Sequence, residues 1–317
     1  MGCQLSRESV NNGVATNQCD LRLQTSDGDL SLVTTSIAQD SEWGTNDYIE
    51  YQPGAAGSKI VLAAPHGGDL EPANIPTRDA GCIVDLGCVY SHACEDKDES
   101  NCRVATVKDM YTLELTIALA DEISRISGLR PHVILNHLHR RKLDANRDRE
   151  EATFDEPDAV TAWDEFHAFI DRAKASVGTG LFIDVHGHGH PEPWIELGYL
   201  FTGLNLDLDE IDPTRSSIRH LSTQVNVTFE ELLRGAQSFG GDCENEGYDA
   251  VPGPTFPGPN GGNYFSGGYN TRRHGSRDGG TIDAIQIESP RFLRDIWPVY
   301  AEGLGQALVN FVQRYYP

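Results

Sequence analysis

Short apolar runs that alternate with longer amphipathic ones restrict the fold of this chain more than any other feature. Lys59 to Ala64 (K-I-V-L-A-A), Pro131 to Leu138 and Leu181 to His186 have the length and composition of buried strands. Between them, Val107 to Ile126 places Met110, Leu113, Leu115, Ile117, Leu119 and Ile123 along a largely apolar helix, with Thr106 as its N-cap and Gly128 at its end. Residues 157–177 form a second helix, with Trp163, Phe166, Phe169 and Ile170 on the buried side. Tyr48 to Tyr51, Ile195 to Phe201 and Ile282 to Ile287 read as further strands, and Ser216 to Arg234 and Phe292 to Tyr316 as further helices. Such alternation predicts an α/β fold: a mixed, mainly parallel sheet flanked by helices.

The rest of the chain divides by composition. Residues 1–45 are rich in Ser, Thr, Asn, Asp and Gln and read as an irregular N-terminal segment, leaving residues 46–317 for a single domain. Two loops interrupt that domain, a Cys-rich one at 80–104 and a Gly-rich one at 239–280. A connection as long as the second is functional or unstructured.

A formal charge of −23 argues against nucleic acid as a partner, because a polyanion would be repelled. No apolar run reaches the roughly 18 residues of a membrane span. Cys82, Cys88, Cys94 and Cys102 fall in one short window without a C-x-x-C spacing, which suits two disulfides better than a thiolate zinc site. With the sequon Asn226-Val227-Thr228, this points to a secreted protein in an oxidising compartment. A rival stands at the start, where Met1-Gly2-Cys3-Gln4-Leu5-Ser6 fits N-myristoylation beside a palmitoylatable cysteine. That reading makes the protein cytoplasmic and lipid-anchored.

Parallel strands bring their C-terminal ends to one edge of a sheet, where open α/β sheets bind ligands. Four such ends carry polar residues that a core does not need: His66 with Glu71, the run Arg140 to Arg147, His186 in L-F-I-D-V-H-G-H-G-H, and Glu288. Two imidazoles and one carboxylate make a ligand set for catalytic zinc with one position left open for water. Asp184 shares the facing of His186 and is placed to orient an imidazole, or is a buried carboxylate satisfied by backbone.

Pro65-His66-Gly67-Gly68 with Glu71, Asp144-Ala145-Asn146-Arg147, the strand leading to His186, and Ile285-Gln286-Ile287-Glu288 together resemble the N-formylglutamate amidohydrolase family. That family is a branch of the zinc metallocarboxypeptidase-like hydrolases, and the similarity runs over residues 48–315. The resemblance implies a metallocarboxypeptidase/phosphorylase-hydrolase-like fold and one Zn2+ held by His66, Glu71 and His186. Asp69 is the rival third ligand, since metallocarboxypeptidases proper use His-x-x-Glu and that spacing lands on Asp69.

By the same resemblance Glu288 is the general base and Arg147 grips a substrate carboxylate beside Asn146. Arg140 or Arg141 binds a second carboxylate or steadies the oxyanion, or lies on a solvated basic turn. His188 is expected to touch substrate, and His190 to be exposed. The segment holding Tyr269, Arg272, Arg273 and His274 resembles a cover that closes over substrate, or a plain surface loop.

The implied activity is hydrolysis of an amide in a small carboxylate-bearing substrate, an N-acyl or N-formyl amino acid or a peptide C-terminus. Two alternatives stand beside it: a hydrolase of a poly-γ-glutamate-type polymer, which the charge opposes, and a zinc-binding protein without catalysis.

Overall fold

The apolar runs are strands of one eight-stranded sheet in the computed structural model, which describes residues 41–317. The sheet strands are β1 (Glu42–Trp43), β2 (Ile49–Gln52), β3 (Ile60–Ala64), β6 (His132–Asn136), β7 (Gly180–His188), β8 (Ile195–Gly198), β9 (Ala250–Val251) and β10 (Ile282–Pro290). A separate hairpin is formed by β4 (Cys82–Val84) and β5 (Gly87–Val89). The order across the sheet is β1-β2-β6-β3-β7-β10-β8-β9. Its centre, β6-β3-β7-β10, is parallel, while β2 and β8 join it antiparallel from either side. The sheet is therefore mixed and mainly parallel, as the alternation of elements predicts.

Strand alternation sorts the residues into two layers. Leu62, Ile183, Val185, Ile285 and Ile287 pack against the helices α1 (Thr112–Ser127) and α10 (Trp297–Tyr315). Val61, Ala63, Phe182 and Ala284 face the other way, onto α3 (Pro157–Val177), which follows the short α2 (Arg149–Thr153). The second face also carries Asp184, His186, Gln286 and Glu288, so near their C-terminal ends β7 and β10 turn from apolar to polar on that side alone.

Several expected elements divide. The Ser216–Arg234 helix is two short ones, α5 (Arg219–Gln224) and α6 (Phe229–Arg234), after α4 (Gly203–Asp207). Val225 and Thr228 are extended between them, where β-branched residues disfavour helix and the Thr228 side chain caps α6 by accepting from the Glu231 N–H. The Gly-rich stretch is not structureless: it contains α7 (Phe239–Asn245), β9 and α8 (Tyr269–His274). The last helix breaks into α9 (Arg291–Arg294) and α10, with Pro298 in the first turn of the second.

The most consequential difference lies at α1, which begins at Thr112 rather than Val107. Tyr111 is left-handed (φ 68°) and cannot continue a helix backwards, so residues 107–110 run as a loop. Extending the buried stripe Ile123, Leu119, Leu115, Thr112 back one turn lands on Lys108 and Asp109, residues unsuited to a core.

Cys82 pairs with Cys94 and Cys88 with Cys102, closing the Cys-rich loop and fitting an oxidising environment. No helix of the described residues is long and apolar enough to cross a membrane. The lipidation motif at Met1 to Ser6 lies outside the described residues.

Candidate active site

His66 directly follows Pro65 at the end of β3, and His186 lies near the end of β7, the neighbouring parallel strand. The third group is Asp109, from the loop before α1, whose backbone N–H donates to the His66 carbonyl. The Nδ1 atoms of His66 and His186 are 3.1 Å apart. Asp109 Oδ2 lies 3.3 Å from the first and 3.2 Å from the second. All three residues are buried.

This triangle has the dimensions of a metal site. Bonds of about 2.0–2.1 Å in a tetrahedral zinc centre put neighbouring donors about 3.3–3.4 Å apart. The far nitrogen of each ring meets a buried carboxylate. His66 Nε2 donates to Asp144 Oδ1 at 2.6 Å, and Asp184 Oδ2 lies 2.8 Å from His186 Nε2, off the N–H direction. For His66, a proton kept on Nε2 turns the Nδ1 lone pair toward the common point. Three donor atoms this close in a buried space need a proton or a cation among them, and a divalent cation fits there.

Charge around the triangle is consistent with that use. Burial alone would raise the Asp109 carboxyl, but the two imidazoles outweigh it and hold it well below the usual carboxylate range. Asp144 is likewise held low against burial by His66 and Arg140, whose Nε donates to it at 3.0 Å.

Glu288 sits on β10 directly opposite His186 in the parallel register. Gln286 Nε2 donates to its Oε1 at 3.0 Å, and burial pushes its carboxyl up to about 8, against the pull of His186 and with the repulsion of Asp109 and Glu196 added. Both residues open onto a cavity of about 660 Å3 along the strand ends.

The structure brings together His66, His186, Glu288, Arg140, Asn146, Arg147 and His188 around this cavity. Asn146 Nδ2 lies 3.3 Å from His186 Nε2, and Arg147 is held by Glu151 at 3.0 Å with part of its guanidinium exposed. Arg140 is mostly spent on Asp144 and Asp109, so it neutralises one carboxylate behind the triangle and the one that belongs to it. His188 is buried, with Nε2 donating to the Trp194 carbonyl at 3.0 Å.

Of the expected residues, Glu71, Arg141, Tyr269 and His274 do not line this cavity, nor does the rival Asp69. Glu71 is 41% exposed and pairs with Arg141 at 3.3 Å, and neither residue lines the cavity. The rival Asp69 is 76% exposed and pairs with Lys108. Both carboxylates belong to the loop after the Gly67-Gly68 turn, which hydrogen-bonds with the His137 to His139 segment and carries them away from the histidines. It is Asp109 whose carboxylate stands beside the two histidines.

Tyr269 packs on Trp163 and His167, and His274 is buried with its Nε2 2.9 Å from His167 Nδ1. From the Gly-rich loop it is residues 264–268 that reach the cavity. Gly268 is required there, because a Cβ would lie 2.4 Å from the Asn146 amide nitrogen.

No family model matches the sequence, and no curated protein does. Among solved structures the chain is similar to gene product Atu2144 from Agrobacterium tumefaciens, at 12% identity and a TM-score of 0.45, covering 84% of this chain and 94% of that one. It is similar to an N-formylglutamate amidohydrolase from Ralstonia eutropha JMP134, at 12% identity and a TM-score of 0.42, covering 84% and 98% of the two chains. An N-acetylmuramyl-L-alanine amidase, Ami1, from Mycobacterium smegmatis follows at 11% identity and a TM-score of 0.37, over 82% and 97%. Scores of this size describe a likeness of backbone and do not assign an activity.

Proposed function

We propose that this protein is a metal-dependent hydrolase that cleaves an amide bond in a small substrate bearing a carboxylate, with one Zn2+ held by His66, Asp109 and His186. The observation that carries the reading is the triangle of donor atoms 3.1–3.3 Å apart, with Asp144 behind one imidazole and Asp184 behind the other. When bound, the ion supplies Lewis-acid polarisation of the substrate carbonyl.

Every other step falls to the chain's own side chains. Glu288, one strand from His186 and facing the cavity, takes a proton from the attacking water and returns it to the departing nitrogen, the charge of a cation at the triangle drawing its carboxyl down from about 8 so that it can act as a base. Arg147 and Asn146, from the loop that follows β6, hold the substrate carboxylate by charge-assisted hydrogen bonds. Arg140 supports the site indirectly, by keeping Asp109 and Asp144 ionised. A cavity rimmed by Lys108, Arg140, Arg147, Arg291 and Arg294 in a chain of charge −23 concentrates positive charge where an anion is to bind. The two disulfides support a secreted protein.

Metal analysis of the purified protein, paired with turnover of a panel of N-acyl amino acids by wild type and Glu288→Gln, tests the reading. Zinc is expected at one per chain in both, with hydrolysis in the wild type only. A wild type that holds zinc yet cleaves nothing in the panel would favour a binding protein instead.

A further inference from the structure

Glu196 is completely buried and lies opposite Glu288 on the antiparallel neighbour β8, yet it does not line the cavity. Its two oxygens are spent on two residues that do. Oε1 lies 2.7 Å from His190 Nδ1, and Oε2 accepts the Phe265 N–H at 2.7 Å. The segment around Phe265 is tied down further: Tyr264 donates to the Leu197 carbonyl, Leu200 N–H to the Ser266 carbonyl at 2.7 Å, and Asn263 N–H to Glu192 at 2.9 Å.

What this scaffold presents is Phe265, a residue left 45% exposed, with the His190 imidazole tilted against its ring at a centroid distance of 4.5 Å. An aromatic ring fixed so firmly and left facing a cavity invites another ring. None of the hydrogen bonds of His190 among the described residues uses Nε2, which remains for a ligand.

We infer that His190 and Phe265, clamped by Glu196, form a subsite for an aromatic acyl group. The inference rests on the hydrolase reading for its orientation. With the substrate carboxylate at Arg147 and the scissile amide at His66 and His186, the acyl half is placed across β10 toward β8, where His190 and Phe265 line the same cavity. From β7 to β8 is two strand spacings, about 10 Å. A formyl group adds nothing beyond the reacting carbonyl, whereas a phenylacetyl group reaches roughly 6 Å further and meets the ring of Phe265. Offset or edge-to-face packing adds to the burial of the ring, which an aliphatic chain would gain without the aromatic geometry. The preferred substrate class is then an amino acid acylated by an aromatic acid or an aromatic residue, rather than a formylated one.

Calorimetric titration on a Glu288→Gln background, zinc-loaded, compares N-phenylacetyl-, N-hexanoyl- and N-formylglutamate. The phenylacetyl compound is expected to bind at least about tenfold tighter than the formyl compound and tighter than the hexanoyl one. Adding Phe265→Ala should bring the phenylacetyl-to-formyl affinity ratio close to one, and Phe265→Tyr should restore it. Equal affinities for the phenylacetyl and formyl compounds, a hexanoyl compound that binds as tightly as the aryl one, or a preference that survives Phe265→Ala overturns the subsite. Wild-type turnover is scored separately. An aromatic preference dependent on Phe265 in a protein that cleaves none of the three leaves the subsite standing and removes the hydrolase reading.

Discussion

Asp144→Asn separates the metal reading from its alternatives, because the exchange preserves shape and removes one charge. Asp144 is fully buried, its Oδ1 2.6 Å from His66 Nε2 and its Oδ2 3.0 Å from Arg140 Nε. An asparagine oxygen can still accept from Nε2–H, so the ring keeps its orientation, while its NH2 replaces the oxygen that accepts from Arg140 Nε–H and forfeits that bond; the charge that makes Nδ1 a stronger donor is gone. Changing such a partner of a metal-ligating histidine costs about 10–100-fold in metal affinity. In free energy that is roughly 1.4–2.7 kcal/mol. The zinc dissociation constant, measured by competition with a chromophoric chelator well below the melting temperature, should rise by that factor. Glu71→Gln, whose parent carboxylate pairs with Arg141 away from the histidines, should leave it within about twofold. An Asp144→Asn constant indistinguishable from wild type, or a Glu71→Gln constant that rises as much, would refute the assignment of the site.

Gly187→Ala should destabilise the fold by about 1–3 kcal/mol, since the new methyl would sit 2.2 Å from Nε of the buried Arg294. That guanidinium has little freedom to move, being bound to the Ser289 and His188 carbonyls at 3.0 Å each and to that of Met110; thermal melts read the loss, and an unchanged midpoint would contradict the packing. Burial, with repulsion from His274, holds His167 down to about 2, and burial, with repulsion from Lys174 and Arg273, holds His274 down to about 4. Both lie below the ordinary value of about 6.5, so the unfolded chain binds protons that the native one does not. Their contribution is complete above about pH 6.5 and is lost progressively as pH falls below it, down to about 4 for His274 and about 2 for His167. Urea melts at pH 4.5 and 7.5 should show the double variant His167→Phe/His274→Leu losing less stability on acidification than wild type, by a few kcal/mol; parallel losses would show that the pair is not responsible.

Much of the scaffold and half of the site can be read in the chain itself. The α3 helix was legible to the residue at both ends, because its apolar period is unbroken and Pro157 and Gly178 bracket it. Strands β3, β7 and β10 were legible as apolar runs whose last residues turn polar, and this places His66, His186 and Glu288 at one edge. The third member of the triangle was not. Asp109 sits among residues whose composition passes for a first helical turn, and only the left-handed Tyr111 shows that the helix begins later. Glu71 and Asp69 stand at attractive spacings from His66, yet spacing along a loop does not say which way the loop departs.

The sequence by itself determined the alternation of strand and helix, the parallel centre of the sheet and the two histidines, because hydrophobic period and strand length are local properties of the chain. Tertiary structure alone decided which carboxylate completes the triangle, which arginines face the cavity, and that His190 and Phe265 share one clamp in Glu196. These depend on contacts between segments such as residues 109 and 186, or 196 and 265. Hydrogen-bond geometry acts over about 3 Å, and no one-dimensional pattern records distances on that scale between remote residues.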